Sequence, residues 1–134
     1  MKQRIYYADT DAYSVVWHGA YLRLMEMARV EFCSKIGIDL VELQKNDIAI
    51  PVTNINIRYK SSAMLNEIVK IETTLTKLTP LSATFTQIIK NSETDRIHTV
   101  AEVDVVAVHN NGQLYRRLPE ELKSVLEGVL ECKD

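Results

Sequence analysis

The chain has 134 residues, 46% of them hydrophobic and 25% charged, the make-up of one globular domain with a single core spanning 1–134. Its 16 Lys and Arg against 18 Asp and Glu leave a net charge of -2, which excludes the basic footprint of a nucleic-acid binder. No apolar run approaches the roughly 20 residues of a membrane span, and Cys33 and Cys132 are too few and too far apart for a disulfide framework or a zinc knuckle. A cytoplasmic protein with two free thiols and no integral membrane segment is expected. The glycines at 19, 37, 112 and 128 form no phosphate-cradling loop, so Rossmann and P-loop folds are excluded as well.

In chain order, Lys2 to Tyr7 is β-prone and leads into Asp9-Thr10-Asp11-Ala12-Tyr13-Ser14, a run of turn-formers and carboxylates: a short strand and then a loop. From Ala20 to Ile36 good helix formers run without proline. Tyr21, Met25, Ala28 and Phe32 recur at helical spacing, and Leu22, Leu24, Met27 and Val30 carry the apolar surface most of the way round. Such a helix is expected to be wrapped by other structure, and Gly37 ends it. After a short helical link at Leu40 to Lys45 the period changes to two. Thr53, Ile55, Ile57 and Tyr59 make one inward set and Val69, Ile71, Thr73 and Leu75 the next. Further strands are expected at Ala83 to Lys90 and Ile97 to Val108, the last within the sheet, and Pro119 opens a C-terminal helix. The order predicts an α+β fold, a long apolar helix in the concave face of one antiparallel sheet. The sheet's open edges predict association with a second copy.

The polar residues gathered most tightly are Asp9, Asp11 and His18, where a loop meets the start of the long helix. Unpaired amides and the positive end of the helix dipole collect there, a setting for a carboxylate or a developing oxyanion. Three alternatives stand beside that reading: turn or helix capping by either aspartate, a metal site of two carboxylates and an imidazole, and a packed His18 without chemistry. Asp11 lies too far ahead of Ala20 for simple capping. No Gly-x-Ser-x-Gly elbow surrounds any serine, Cys33 reads as a structural thiol on an apolar helical stretch, and His98 and His109 receive no role.

Tyr6 to Asp11, then Val15-Val16-Trp17-His18-Gly19-Ala20-Tyr21-Leu22 and Glu26-Met27-Ala28-Arg29, resemble the opening motif of the hotdog-fold 4-hydroxybenzoyl-CoA thioesterase family, most of all its YbgC-like acyl-CoA thioesterases. Ile50-Pro51-Val52, Ile57-Arg58-Tyr59, Val69 to Thr73 and Leu118 to Leu122 extend the resemblance over nearly the whole chain. It implies a hotdog fold, hydrolysis of an acyl- or aroyl-CoA to free acid and CoA, and a homodimer or homotetramer with sites between subunits. Asp11 falls on the catalytic carboxylate and His18 on the backbone amide that polarises the thioester carbonyl. Tyr7, Trp17, Tyr59, Lys60 and Lys77 fall on substrate-binding positions. No metal or bound cofactor is implied, since CoA enters as part of the substrate. Departures from the family pattern are Tyr13-Ser14 before the valine pair, Ser61-Ser62 and Asn66 after the strand ending at Tyr59, and a hairpin, Lys77 to Ser82, that keeps a single basic residue. The last keeps an acyl-carrier-protein thioesterase open as an alternative, and a non-catalytic acyl-CoA binding module is the rival from another class.

Overall fold

The computed structural model describes residues 1–131; Cys132 lies outside them. Strand β1 (Lys2–Arg4) leads through a 3-10 turn (Tyr7–Asp9) to helix α1 (His18–Lys35). Then follow α2 (Leu40–Lys45), β2 (Val52–Tyr59), β3 (Ile68–Leu78), β4 (Ser82–Asn91), β5 (Ile97–Val106) and α3 (Glu120–Glu131). The strands form one antiparallel sheet in the order β1-β3-β4-β5-β2. β5, expected within the sheet, is paired on both sides.

Register explains how the sheet holds α1. Ile71 faces Ile89, Leu75 faces Phe85 and Phe85 faces Val103 across the ladders, so one face presents a continuous apolar surface. Against it α1 buries Ala20, Tyr21, Leu24, Met25 and Ala28, and Phe32 meets Phe85 edge-on at 5.6 Å. In the middle of that face Gln87, fully buried, donates to the Met25 carbonyl (2.9 Å) and to Thr73 Oγ1 (3.0 Å) and accepts from Arg29 (2.9 Å). A buried amide pays its desolvation cost only when its groups are satisfied, so this set fixes the helix on the sheet. Gly37 takes φ +91°, with its N–H on Ser34 and the Ile38 N–H on Cys33, the paired bonds of a Schellman end to α1.

The structure departs from the sequence expectations at particular residues. α1 begins at His18, one half-turn before the expected Ala20. A β-bulge at Thr53 puts Val52, still 38% exposed, and not Thr53 on the same face of the sheet as Val105, and a bulge at Thr76 turns Leu78 inward and Lys77 outward. The helix is wrapped on one side only: Leu22 and Val30 remain 41% and 44% exposed in the single chain. No described helix is long and apolar enough to cross a membrane.

Candidate active site

The loop before α1 is built around two aspartates with different environments. Asp9 is buried; its Oδ2 accepts the Tyr6 N–H at 3.0 Å and its Oδ1 pairs with Arg23 on α1 at 2.5 Å, while its carbonyl takes the Trp17 N–H. Both oxygens are committed to holding the loop on the helix. Asp11 is exposed. It closes a small reverse turn, donating its N–H to Val15 and accepting the Ser14 N–H on its carbonyl, with Ser14 at φ 62°. Its Oδ1 accepts the Tyr13 N–H at 2.8 Å in an Asx turn, and among the described residues Oδ2 has no protein partner.

Segment 61–65 supports this loop from the sheet side. Val16 donates to the Ala63 carbonyl, Leu65 to that of Ser14, and Ala63 donates to the phenol oxygen of Tyr21 at 3.0 Å. Burial pushes the Tyr21 hydroxyl above its usual range.

At the start of α1, Trp17 occupies the cap position in extended conformation with no side-chain cap, and the first turn carries no acidic residue. The Ala20 N–H turns back to the Trp17 carbonyl, while the His18 and Gly19 amides have no acceptor among the described residues and stand open at the positive dipole end. The Trp17 indole folds back over Gly19, so that a Cβ there would lie 2.0 Å from a ring carbon; glycine is required for this close approach. The His18 imidazole rests against the Tyr59 ring at 4.6 Å, and Tyr59 in turn lies 5.7 Å from Tyr21.

A cleft of about 360 Å³ joins these groups, and its walls include Asp11, Trp17, His18, Tyr59, Lys60 and Ser61. Tyr7 and Lys77, expected to meet substrate, do not line it within one chain. Tyr7 sits on the 3-10 turn with its side chain 83% exposed, and the Thr76 bulge turns Lys77 to the outer face of the sheet. Asp9 is drawn away by Arg23, so no group of three metal-ligating side chains forms among the described residues.

Sequence reasoning missed Arg23 as the clamp on Asp9, and it missed the buried partners of His98. The His98 imidazole lies between Glu67 and Ser61, residues 31 and 37 positions away in the chain. His109 is engaged with Asp47 and stacks on Tyr115 at 3.8 Å, joining the loop after α2 to the loop after β5. Nothing in local spacing signals such pairs, because the fold brings together segments far apart in the chain. Cys33 is buried and its thiol is pushed up by desolvation, in keeping with a structural role. It lines a second, mainly apolar cavity of about 300 Å³ together with Arg29, Val30, Phe85 and Leu122.

An antiparallel sheet curved round one long helix, whose open N-terminus stands beside a carboxylate, is the hotdog architecture of thioester hydrolases. A 1,4-dihydroxy-2-naphthoyl-CoA thioesterase from Synechocystis shares that fold with a TM-score of 0.84 at 19% identity, over 94% of this chain and 93% of that one. A DHNA-CoA thioesterase from Staphylococcus aureus superposes with a TM-score of 0.90 at 27% identity, over 98% and 89%. Residues 6–126 match the Thioesterase-like superfamily. The acyl-CoA thioester hydrolase YbgC of Escherichia coli O6:H1 is 34% identical over 119 residues, 89% of this chain and 88% of that relative. The chain belongs to the Thioesterase-like superfamily, and the hotdog fold expected from its opening motif is the fold observed.

Proposed function

We propose that the chain hydrolyses acyl-CoA thioesters to the free acid and CoA in the cleft between Asp11 and the start of α1. The observation that carries this reading is the pairing, in one cleft, of a carboxylate with a free oxygen and an uncapped helix N-terminus. The thioester carbonyl oxygen accepts the His18 N–H, which stabilises the negative charge that grows on it. Asp11 then acts in one of two ways. As nucleophile it attacks the carbonyl carbon, the C–S bond breaks with the electron pair leaving on sulfur, and water opens the mixed anhydride. As general base it takes a proton from the water that attacks. The His18 and Tyr59 rings, Trp17 and Lys60 line the path of the substrate.

The test is turnover of a panel of aliphatic and aromatic acyl-CoA thioesters, with the matching acyl-carrier-protein thioesters alongside. Release of free thiol from acyl-CoA is expected; binding without release would overturn the reading in favour of a binding module. The reaction uses no metal, because Asp9 is committed to Arg23 and the remaining groups act as base and amide donor. EDTA is therefore expected to leave the rate unchanged, and activity lost to the chelator and regained with zinc or magnesium would show otherwise.

A second copy completes the site in this reading. β2 is an edge strand with one side unpaired, Tyr59 at its end is 43% exposed, and Leu22 and Val30 lie open along α1. Unpaired edges and open apolar stripes favour a closed, two-fold assembly. Light scattering should give two or four times the chain mass of 15.3 kDa; a monomer at micromolar concentration would count against it.

A further inference from the structure

The cleft has a polar wall whose hydrogen bonding is set from behind. Where β4 ends and β5 begins, Ile89 faces Thr99 and Lys90 faces Ile97, so His98 is the extra residue of a β-bulge. Bulges re-aim side chains beside functional sites, and here the imidazole is buried, 2% exposed. Its Nε2 meets Oε2 of Glu67 and its Nδ1 lies 2.7 Å from Ser61 Oγ. Glu67 also accepts the Met64 N–H and the Asn91 side-chain amide, both at 3.0 Å, so the acid is held from several sides. Ser61 Oγ lies 2.8 Å from the Ile97 carbonyl as well, and Ser61 is half-buried on the wall of the cleft that also holds Asp11 and His18.

A serine hydroxyl has one hydrogen and two lone pairs. If Nδ1 of His98 carries no hydrogen, the Ser61 O–H donates to it. If Nδ1 does carry one, the ring donates to Ser61 and the hydroxyl turns to the Ile97 carbonyl. In both cases the interior takes the hydrogen, and what Ser61 retains for the cleft is an acceptor. A thioester group offers no donor, whereas the thiol arm of acyl-CoA carries amide N–H groups close to the sulfur.

We propose that Ser61 accepts a hydrogen bond from an amide N–H of the substrate's pantetheine arm, and that His98 and Glu67 are positioning residues that keep its hydroxyl an acceptor. This rests on the reading of the cleft as the thioester site. The arm is common to CoA and to acyl carrier protein, so the contact selects for the thiol arm and not for the nucleotide.

The experiment compares an acyl-N-acetylcysteamine thioester, which keeps the first amide, with a simple S-alkyl thioester of the same acyl group, which has none. In the wild-type protein the amide-bearing substrate has the higher kcat/KM, and Ser61→Ala should shrink that preference about three- to tenfold, chiefly through KM, as expected for one neutral hydrogen bond. Ser61→Thr keeps the hydroxyl and should restore it. His98→Gln should shrink the same preference in the wild-type background and add nothing to Ser61→Ala. Acyl-CoA and acyl-carrier-protein thioesters should suffer equally from Ser61→Ala. An unchanged preference in Ser61→Ala, an equal loss of kcat on both small thioesters, or a loss confined to acyl-CoA would each overturn the assignment. Asp11→Asn run on the same substrates separates the two readings: retained turnover there removes the cleft assignment itself, while lost turnover with an unchanged preference in Ser61→Ala removes only the role of Ser61.

Discussion

Asp11→Asn should lower kcat by about a hundredfold or more, the scale of losing a general base or nucleophile. The substitution keeps the side-chain shape and the Oδ1 acceptor that holds the Tyr13 N–H, so the turn from Asp11 to Ser14 is preserved. What it removes is the negative charge and the free second oxygen that face the cleft. Asp9→Asn offers the internal comparison, because it changes the same chemical group one turn earlier. There the loss falls on the contacts to Arg23 and the Tyr6 N–H, and it should appear as a lower Tm with kcat reduced much less. Steady-state kinetics with thermal melts on both variants checks this pair. Near-normal turnover in Asp11→Asn, with Asp9→Asn inactive, would reverse the assignment of the two carboxylates.

His18→Pro should reduce kcat on a similar scale, about a hundredfold, because it deletes the one backbone N–H proposed to meet the oxyanion. Proline has no N–H, yet it is well tolerated at the first position of a helix, which is the place His18 occupies in α1. The residue before a proline must be extended, and Trp17 already is, at φ -79° and ψ 155°. The helix should therefore persist while the donor disappears, and circular dichroism with an unchanged melt would confirm that. His18→Ala retains the amide and loses the imidazole that rests tilted against Tyr59, so it should cost less than about tenfold, the scale of one lost neutral contact. Equal activity in the proline and alanine variants would show that the ring, or another amide, carries the charge.

These two residues could be singled out from sequence because they lie in one short stretch. Asp9, Asp11 and His18 fall within ten residues of each other at the mouth of a helix whose apolar spacing is plain, and a helix start brings its own open amides wherever it sits. The period-two runs in β2 to β5 and the glycine that ends α1 are local signals of the same kind. The hotdog fold itself was legible through the opening motif.

What the tertiary structure decided depends on chain segments far apart in sequence. The two aspartates are the same residue type two positions apart, and it is Arg23, brought round by the first turns of α1, that commits Asp9 to holding the loop while Asp11 faces the cleft. Bulges at Thr53, Thr76 and His98 changed the face on which Val52, Lys77 and the His98 imidazole stand. A strict alternation read along the chain has no means of counting an inserted residue, since the insertion is defined only against the partner strand. The Glu67–His98–Ser61 chain is of the same nature. Its members are unremarkable singly, and they become a unit because sheet register places β5 beside the segment that follows β2. Local sequence determines which helix and strands form and where a helix end lies open; pairing across the sheet determines which side chains that open end meets.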